Sequence, residues 1–400
     1  MKNLLYFIFF FLLIIAIGCN NTEENKNSKN EIVFTSTDSP YHITQDIVID
    51  STMKMVLFPG TQLIFHDTAE IQIYGSIHIR GTADNPVIMM PFEKDSLWGG
   101  IKLYQPDDSC IFENVIVKNG LMWGENANVI ITNYNFSNNY PLSSFDAIAR
   151  FFRGSIQVRD SYFESNQTGE GILIHNANQS VTRVENCEFH GVSDAIEYMN
   201  SFSNGVIRGN KIYNIQQLYG DAIDLNGCTG VRIENNYIEN VRDHGLELGN
   251  DNYGPCIDII VSENIFVGCF KGVVVRGGSN ALVINNTFYK NIYGVSCTFN
   301  KFISNFDPNR LEIINSIFSE SKKGDFSNND NSIITFENCL SNRKLLKGEG
   351  NIFSDPLFVA AKKGDFRLSN NSPCIGSASL SRQTNCKDLG AICSDKKLNP

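Results

Sequence analysis

The 400-residue chain is poor in the residues and motifs that mark most enzyme classes. It has 11 prolines and two tryptophans, and no sustained 3.6-residue amphipathic pattern, which points away from a helical protein. No GxGxxG, P-loop or GxSxG stretch occurs, so the usual dinucleotide, nucleoside-triphosphate and serine-nucleophile sites are not expected. No two cysteines have CxxC spacing, which argues against structural zinc. Positive charge is also short. Thirty-three Lys and Arg against 43 Asp and Glu leave −10, with no basic stripe to displace phosphate counterions, and a nucleic-acid partner is disfavoured.

The one long apolar run is at the start. Lys2 precedes an apolar stretch over 4–17, too short to span a bilayer comfortably but suited to a signal sequence. It ends in AIGC (16–19), which resembles the lipobox of bacterial lipoproteins. The resemblance implies a signal peptide over 1–18, lipidation of Cys19 and anchoring in the outer membrane of a bacterial cell envelope. A polar tether follows over 19–31. Its Glu23-Glu24 pair looks like the acidic signal that places some lipoproteins on the cell surface.

What is abundant is repetition. IITNYNF (130–136), QVRDSYF, RVENCEF, VIRGNKI, RIENNYI, IVSENIF, LVINNTF and EIINSIF (312–318) share one form, and their last apolar residues recur at intervals of 27, 26, 23, 26, 28, 22 and 30. A second series, GILI (171–174), AIEY, AIDL, GLEL, GVVV and GVSC (294–297), alternates with the first. Spacing near 25 with Asn-rich turns predicts an all-β, single-chain right-handed parallel β-helix of about 9–11 coils. Ile172, Ile196, Ile223, Leu246, Val273 and Val295 should form one interior ladder, and Phe136 through Phe318 another.

The stretch from Leu57 through WGGI (98–101) resembles the first coils of β-helices related to pectate lyases and polygalacturonases. SDPLFVAAKKGDFRLSNNSPCIGSAS with DLGAIC resembles a tail that often follows such helices. The expected organisation is N-terminal capping coils over 32–105, the helix over 106–345 and a tail covering its end over 346–400, in a protein expected to be monomeric. Most cysteines should be small core fillers. Cys228 and Cys256 each lie ten residues before the ladder residue of their coil, and a disulfide between them is predicted, with at most one bridge among Cys374, Cys386 and Cys393.

In the second series the residue between the two apolar ones should face solvent. Down the stack this row reads Leu173, Glu197, Asp224, Glu247, Val274, Ser296. The row before it holds Asp194, Asp221, His244, Lys271 and Tyr293; the row after it holds Asn226 and Arg276. Carboxylates stacked at coil spacing repel unless a cation or a substrate neutralises them. A Ca²⁺ site at Glu197, Asp224 and Glu247 is one expectation, and ordinary turn chemistry at Asp-Ala and Asp-Gly is the other.

The phrases VSD (192–194), YGD (219–221), DHG (243–245) and VVVR (273–276) resemble, in order and one per coil, the polygalacturonase motifs N-T-D, D-D, G-H-G and R-I-K. Carried over, Asp221 would be the general acid, Asp194 the base on water, and His244 and Arg276 would hold a uronate, with Lys271, Asn226 and Tyr293 beside them. Val192, Gly220 and Val274 depart from those motifs. The expected partner is an acidic polysaccharide, met by hydrolysis or by Ca²⁺-assisted elimination. A non-catalytic glycan-binding or scaffold protein is the competing reading.

Overall fold

The computed structural model describes residues 30–138, 147–176, 181–201, 204–249, 253–298, 307–328, 332–380 and 386–394. Cys19 and the signal and lipidation features lie outside them. Within them, no helix is long and apolar enough to cross a membrane.

Each coil contributes one strand to a 12-stranded sheet running from Ile47–Ile49 to Gly324–Asn328, and strands to a second sheet of 25, counted among the described residues. All pairings within both are parallel, and the tail hairpin, Phe358–Ala360 against Asp365–Leu368, is antiparallel and stands separately. Both expected ladders are present. Ile172, Ile196, Ile223, Leu246, Val273 and Val295 pair in unbroken register. So do Phe136, Phe163, Phe189, Ile212, Ile238, Phe266, Phe288 and Phe318, all fully buried. Consecutive phenylalanines stack, with centroids 5.1 Å apart for Phe266–Phe288 and 4.8 Å for Phe288–Phe318.

The seven-residue template is legible as physics. Its fourth residue turns the chain with positive φ: Asn133, Asp160, Asn186, Gly209, Asn235, Glu263, Asn285 and Asn315. Asn and Asp tolerate that region better than other side chains, which accounts for the Asn-rich composition. Its fifth residue is buried at the bend and binds its neighbour. Asn210 Nδ2 donates to Asn236 Oδ1 at 2.9 Å, Asn236 to Asn264 at 2.9 Å and Asn264 to Asn286 at 3.0 Å. Each carbonyl oxygen in this ladder also accepts the backbone N–H of the preceding coil, so the bend leaves no buried amide unpaired there.

The small residue that opens GLEL, GVVV and GVSC has a packing cause. A Cβ on Gly245 would fall 2.7 Å from both the Phe266 ring and the Gly272 carbonyl oxygen, and one on Gly272 or Gly294 would strike Phe288 or Phe318 and the next coil's carbonyl. Where the ladder carries Ile212 or Ile238 instead of Phe, the matching positions are Ala195 and Ala222.

The structure specifies the two ends and the cysteines. The 32–105 segment caps the helix by joining it: Ile47, Ile71 and Ile101 already pair in register as coils. At the other end Leu346 enters the main core, and the remaining tail lies on the flank, where Asn285 Nδ2 donates to Asp388 O at 2.8 Å and Ser379 N–H donates to Asn315 Oδ1 at 2.9 Å. The predicted Cys228–Cys256 disulfide is corrected. The two are stacked but free, because each thiol turns along the ladder to a carbonyl of the preceding coil, Cys228 to Tyr198 at 3.3 Å and Cys256 to Leu225 at 3.0 Å. In the tail Cys386 is bonded to Cys393, and Cys374 is a buried thiol.

Gly245→Ala should cost about 1–3 kcal/mol in denaturant unfolding through overpacking against Phe266. The double variant with Phe266→Ile should recover part of that loss, which a double-mutant cycle would read as a favourable coupling.

Candidate active site

The carboxylate column forms as register requires. Glu197 pairs with Asp224 and Asp224 with Glu247, on the outer face of three consecutive coils. One expectation is corrected here. These side chains point away from the core, yet Glu197 and Glu247 are only 8% and 5% exposed. Neighbouring rows close over them: Ala147, Leu173 and Met199 form a small apolar cluster on the same face, and His244, itself buried, sits beside Glu247.

His244 is the hub. Its Nδ1 lies 2.8 Å from Glu247 Oε2 and 3.0 Å from Asp221 Oδ1, and its Nε2 lies 3.0 Å from Asp243 Oδ1. Burial works to lower its pKa, but the hydrogen-bonded carboxylates of Asp221, Asp243 and Glu247 outweigh it and raise it to about 11, so the ring is an imidazolium. Arg276 supplies a second cation, 3.1 Å from Glu247 Oε1. Backbone geometry ties the coils together at the same place. Asp194 Oδ1 accepts the Asp221 N–H at 2.6 Å, and Asp221 Oδ1 accepts the His244 N–H at 2.8 Å.

The carboxyl groups therefore fall into two sets. Asp221, Asp243 and Glu247 face the imidazolium. Burial pushes Asp221 up to about 6 even so, while for Asp243 the His244 bond overcomes burial and lowers its pKa. Asp194, Glu197 and Asp224 have no such partner. Burial first, and then the Asp221 charge, raises Asp194 well above the ordinary range. Asp224 rises for the same reason, with Glu247 as its strongest repulsive neighbour, and burial lifts Glu197 to about 7.

Asn226 ties together two members of the second set, donating to Asp224 Oδ2 at 2.8 Å and to Glu197 Oε1 at 3.5 Å. Oxygens of Asp221, Asp224 and Glu247 lie within 4.8 Å of one another, as do those of Glu170, Asp194 and Glu197. Two buried oxygens here, Asp224 Oδ1 and Asn226 Oδ1, have no hydrogen-bond partner. Such a set suits a hard cation with oxygen ligands.

Lys271 pairs in register with His244, and Tyr293 with Lys271, so Tyr293 lies one coil beyond the cluster. Burial, reinforced by Arg276, lowers the Lys271 pKa. Two participants were missed by the sequence reading. Asp243 falls outside the alternating rows, and only the turn before His244 brings it to Nε2. Arg150, whose charge acts on both Glu197 and His175, was findable by extending the Glu197 row back two coils through Leu173.

The family profile described as a right-handed beta helix region matches residues 99–252 and 153–311, together more than half of the sequence. No curated protein matches the sequence. Among solved structures, similar ones include the periplasmic alginate epimerase AlgG (13% identity, 76% of this chain and 77% of that one, TM-score 0.40). Others are the catalytic domain of a GH87 alpha-1,3-glucanase with tetrasaccharides (10%, 80% and 70%, 0.42) and pectate lyase Pel9A (15%, 84% and 88%, 0.38). Values this low carry neither activity nor residue roles over to this chain.

The raised carboxyl groups set a pH dependence. A buried acid whose folded pKa exceeds its unfolded value binds extra protons when folded, so its stabilising contribution is complete below the unfolded pKa and lost as pH rises through the folded one. For Glu197 that window runs from 4.5 to about 7, and the His244 imidazolium adds a further loss from 6.5 toward about 11. Melting temperature should fall from pH 5 to pH 8, and Glu197→Gln should flatten the lower part of that slope in a calorimetric pH series.

Proposed function

We propose that this chain, which belongs to the family built on a right-handed β-helix region, binds and cleaves uronate-containing polysaccharide on the outer face of its 12-stranded sheet by acid–base hydrolysis. The observation that carries this reading is the division of the carboxyls into one set that faces the His244 imidazolium and another, away from it, raised by burial and by neighbouring carboxylates. Hydrolysis of a glycosidic bond needs one of each. Electrostatics favour Asp194 as the acid that protonates the departing glycosidic oxygen. Asp221, against the imidazolium, is then the carboxylate that takes a proton from water as the water oxygen bonds the anomeric carbon. This reverses the roles implied by the polygalacturonase resemblance. His244 acts as a fixed positive charge, since both ring nitrogens already face carboxylates.

Charge along the helix axis supports an acidic substrate. Arg150 lies on one side of the carboxyl cluster and Lys271 and Arg276 on the other, positioned to meet uronate groups flanking the bond that breaks. The lipobox-like AIGC motif supports a location at the cell envelope, anchored through Cys19.

The unpartnered Asp224 Oδ1 and Asn226 Oδ1 favour a second reading, β-elimination. Asp224, Asn226 and Glu247 would hold a Ca²⁺ ion, which when bound neutralises the uronate carboxylate and acidifies its α proton. Lys271, its pKa lowered by burial, would remove that proton.

Product analysis on a panel of uronic-acid polysaccharides, with and without chelator, tests both. Under hydrolysis, Asp194→Asn and Asp221→Asn should each lower kcat by roughly 10²-fold or more with KM little changed, chelator should have no effect, and products should be saturated. Ultraviolet-absorbing unsaturated ends and loss of activity with chelator would select elimination. A folded wild type that cleaves nothing on the panel would remove both.

A further inference from the structure

We infer that a row of aromatic side chains on the 12-stranded sheet, Tyr74, Tyr104, Trp123, Phe152 and His175, is a saccharide track that guides an acidic polysaccharide along the helix axis into the carboxylate cluster. The inference rests on the proposed function and adds to it the path and direction of the bound chain.

The rings lie on five successive coils of the outer face and touch in order. Their centroids are 5.0 Å apart from Tyr74 to Tyr104, 5.2 Å to Trp123, 6.3 Å to Phe152 and 4.9 Å to His175. Register then carries the row without a gap into the site: His175 pairs with Met199, and Met199 with Asn226, which binds Asp224. Trp123 is in the neighbouring row, which runs through Arg150 and Leu173 to Glu197.

Orientation separates an anchor from its supports. Tyr74 and Tyr104 stack within 15° of parallel, with Tyr74 40% exposed. Trp123 is half-buried and tilted by 53° from Tyr104 and 49° from Phe152, so its indole is not closed into a parallel stack with either neighbour. An outward indole face is the surface on which the C–H face of a pyranose ring packs, and its N–H provides a polar handle. Arg150 sits beside Trp123 in register on the side toward the cluster and brings positive charge that suits a chain of uronates, while Lys102 on the other side is ion-paired to Glu70 and Glu125 holds the row's own position on the Trp123 coil. Trp123 lies three coil steps from Glu197, about 14 Å at ~4.8 Å per step, so the track reaches the cluster only through a bound oligomer, not a single sugar.

The test uses the folded protein and titrates one uronate polysaccharide, a neutral polysaccharide and a uronate disaccharide. Trp98 is buried and stacked on Phe65 at 4.0 Å, which leaves Trp123 as the indole open to a ligand. Wild-type tryptophan emission should therefore shift with the uronate polysaccharide and not with the neutral one. Trp123→Leu and Tyr104→Leu should each weaken polysaccharide affinity, Trp123→Leu by about tenfold, while disaccharide affinity stays unchanged. Wild-type binding with no emission change, or Trp123→Leu binding the polymer as tightly as wild type while melting lower, would show that the row serves only cross-strand packing and overturn this inference alone. No polysaccharide binding by the wild type would overturn it together with the proposed function. The emission titration needs no variant, so a misfolded substitution would not spare the inference.

Discussion

Everything in this molecule depends on parallel coils repeating in register. A single coil has no partner for its inner face or for its edge amides, and both are satisfied only by the coils above and below. The clearest sign is the Asn210–Asn236–Asn264–Asn286 ladder, in which each side-chain amide donates to the next coil and each carbonyl oxygen accepts the backbone N–H of the preceding coil at the bend. Size is matched across coils by the same rule. Gly171, Gly245, Gly272 and Gly294 lie against phenylalanine rings of the ladder, and Ala195 and Ala222 match the coils where it carries isoleucine.

Register also concentrates charge. A parallel sheet places equivalent residues directly over one another, so an acid repeated at one template position becomes a column of acids. The fold meets this locally with the His244 imidazolium and the Arg276 guanidinium, which neutralise one side of the cluster and leave Asp194, Glu197 and Asp224 raised on the other. Two carboxyl populations a coil apart are the precondition for acid–base chemistry, and the same arrangement leaves oxygens suited to a hard cation.

How much could be read beforehand differed by residue. The two interior ladders and the row Glu197–Asp224–Glu247 were legible, because alternation and a period near 25 determine which residues stack. The burial of that row was not, because it arises from side chains of adjacent rows closing over it. Asp243 escaped because it belongs to a turn rather than a row. The aromatic row escaped because Tyr74, Tyr104, Trp123 and Phe152 sit in coils whose spacing is less regular than the template that defined the helix. The Cys228–Cys256 pairing was anticipated in position but not in bonding, since each thiol turns to a carbonyl of the preceding coil.

Periodicity, the recurring asparagines and the alternation of apolar residues were sufficient to specify a parallel β-helix and to place its acidic residues on one face. Those properties are local and repeat with every coil, so a linear reading captures them. The protonation of the cluster, the pinning of His244 by three carboxylates and the line of aromatics leading to Asn226 belong to the folded chain alone. Each depends on distances of about 3–6 Å between residues tens of positions apart, and on exclusion of water by neighbours that no repeat unit contains.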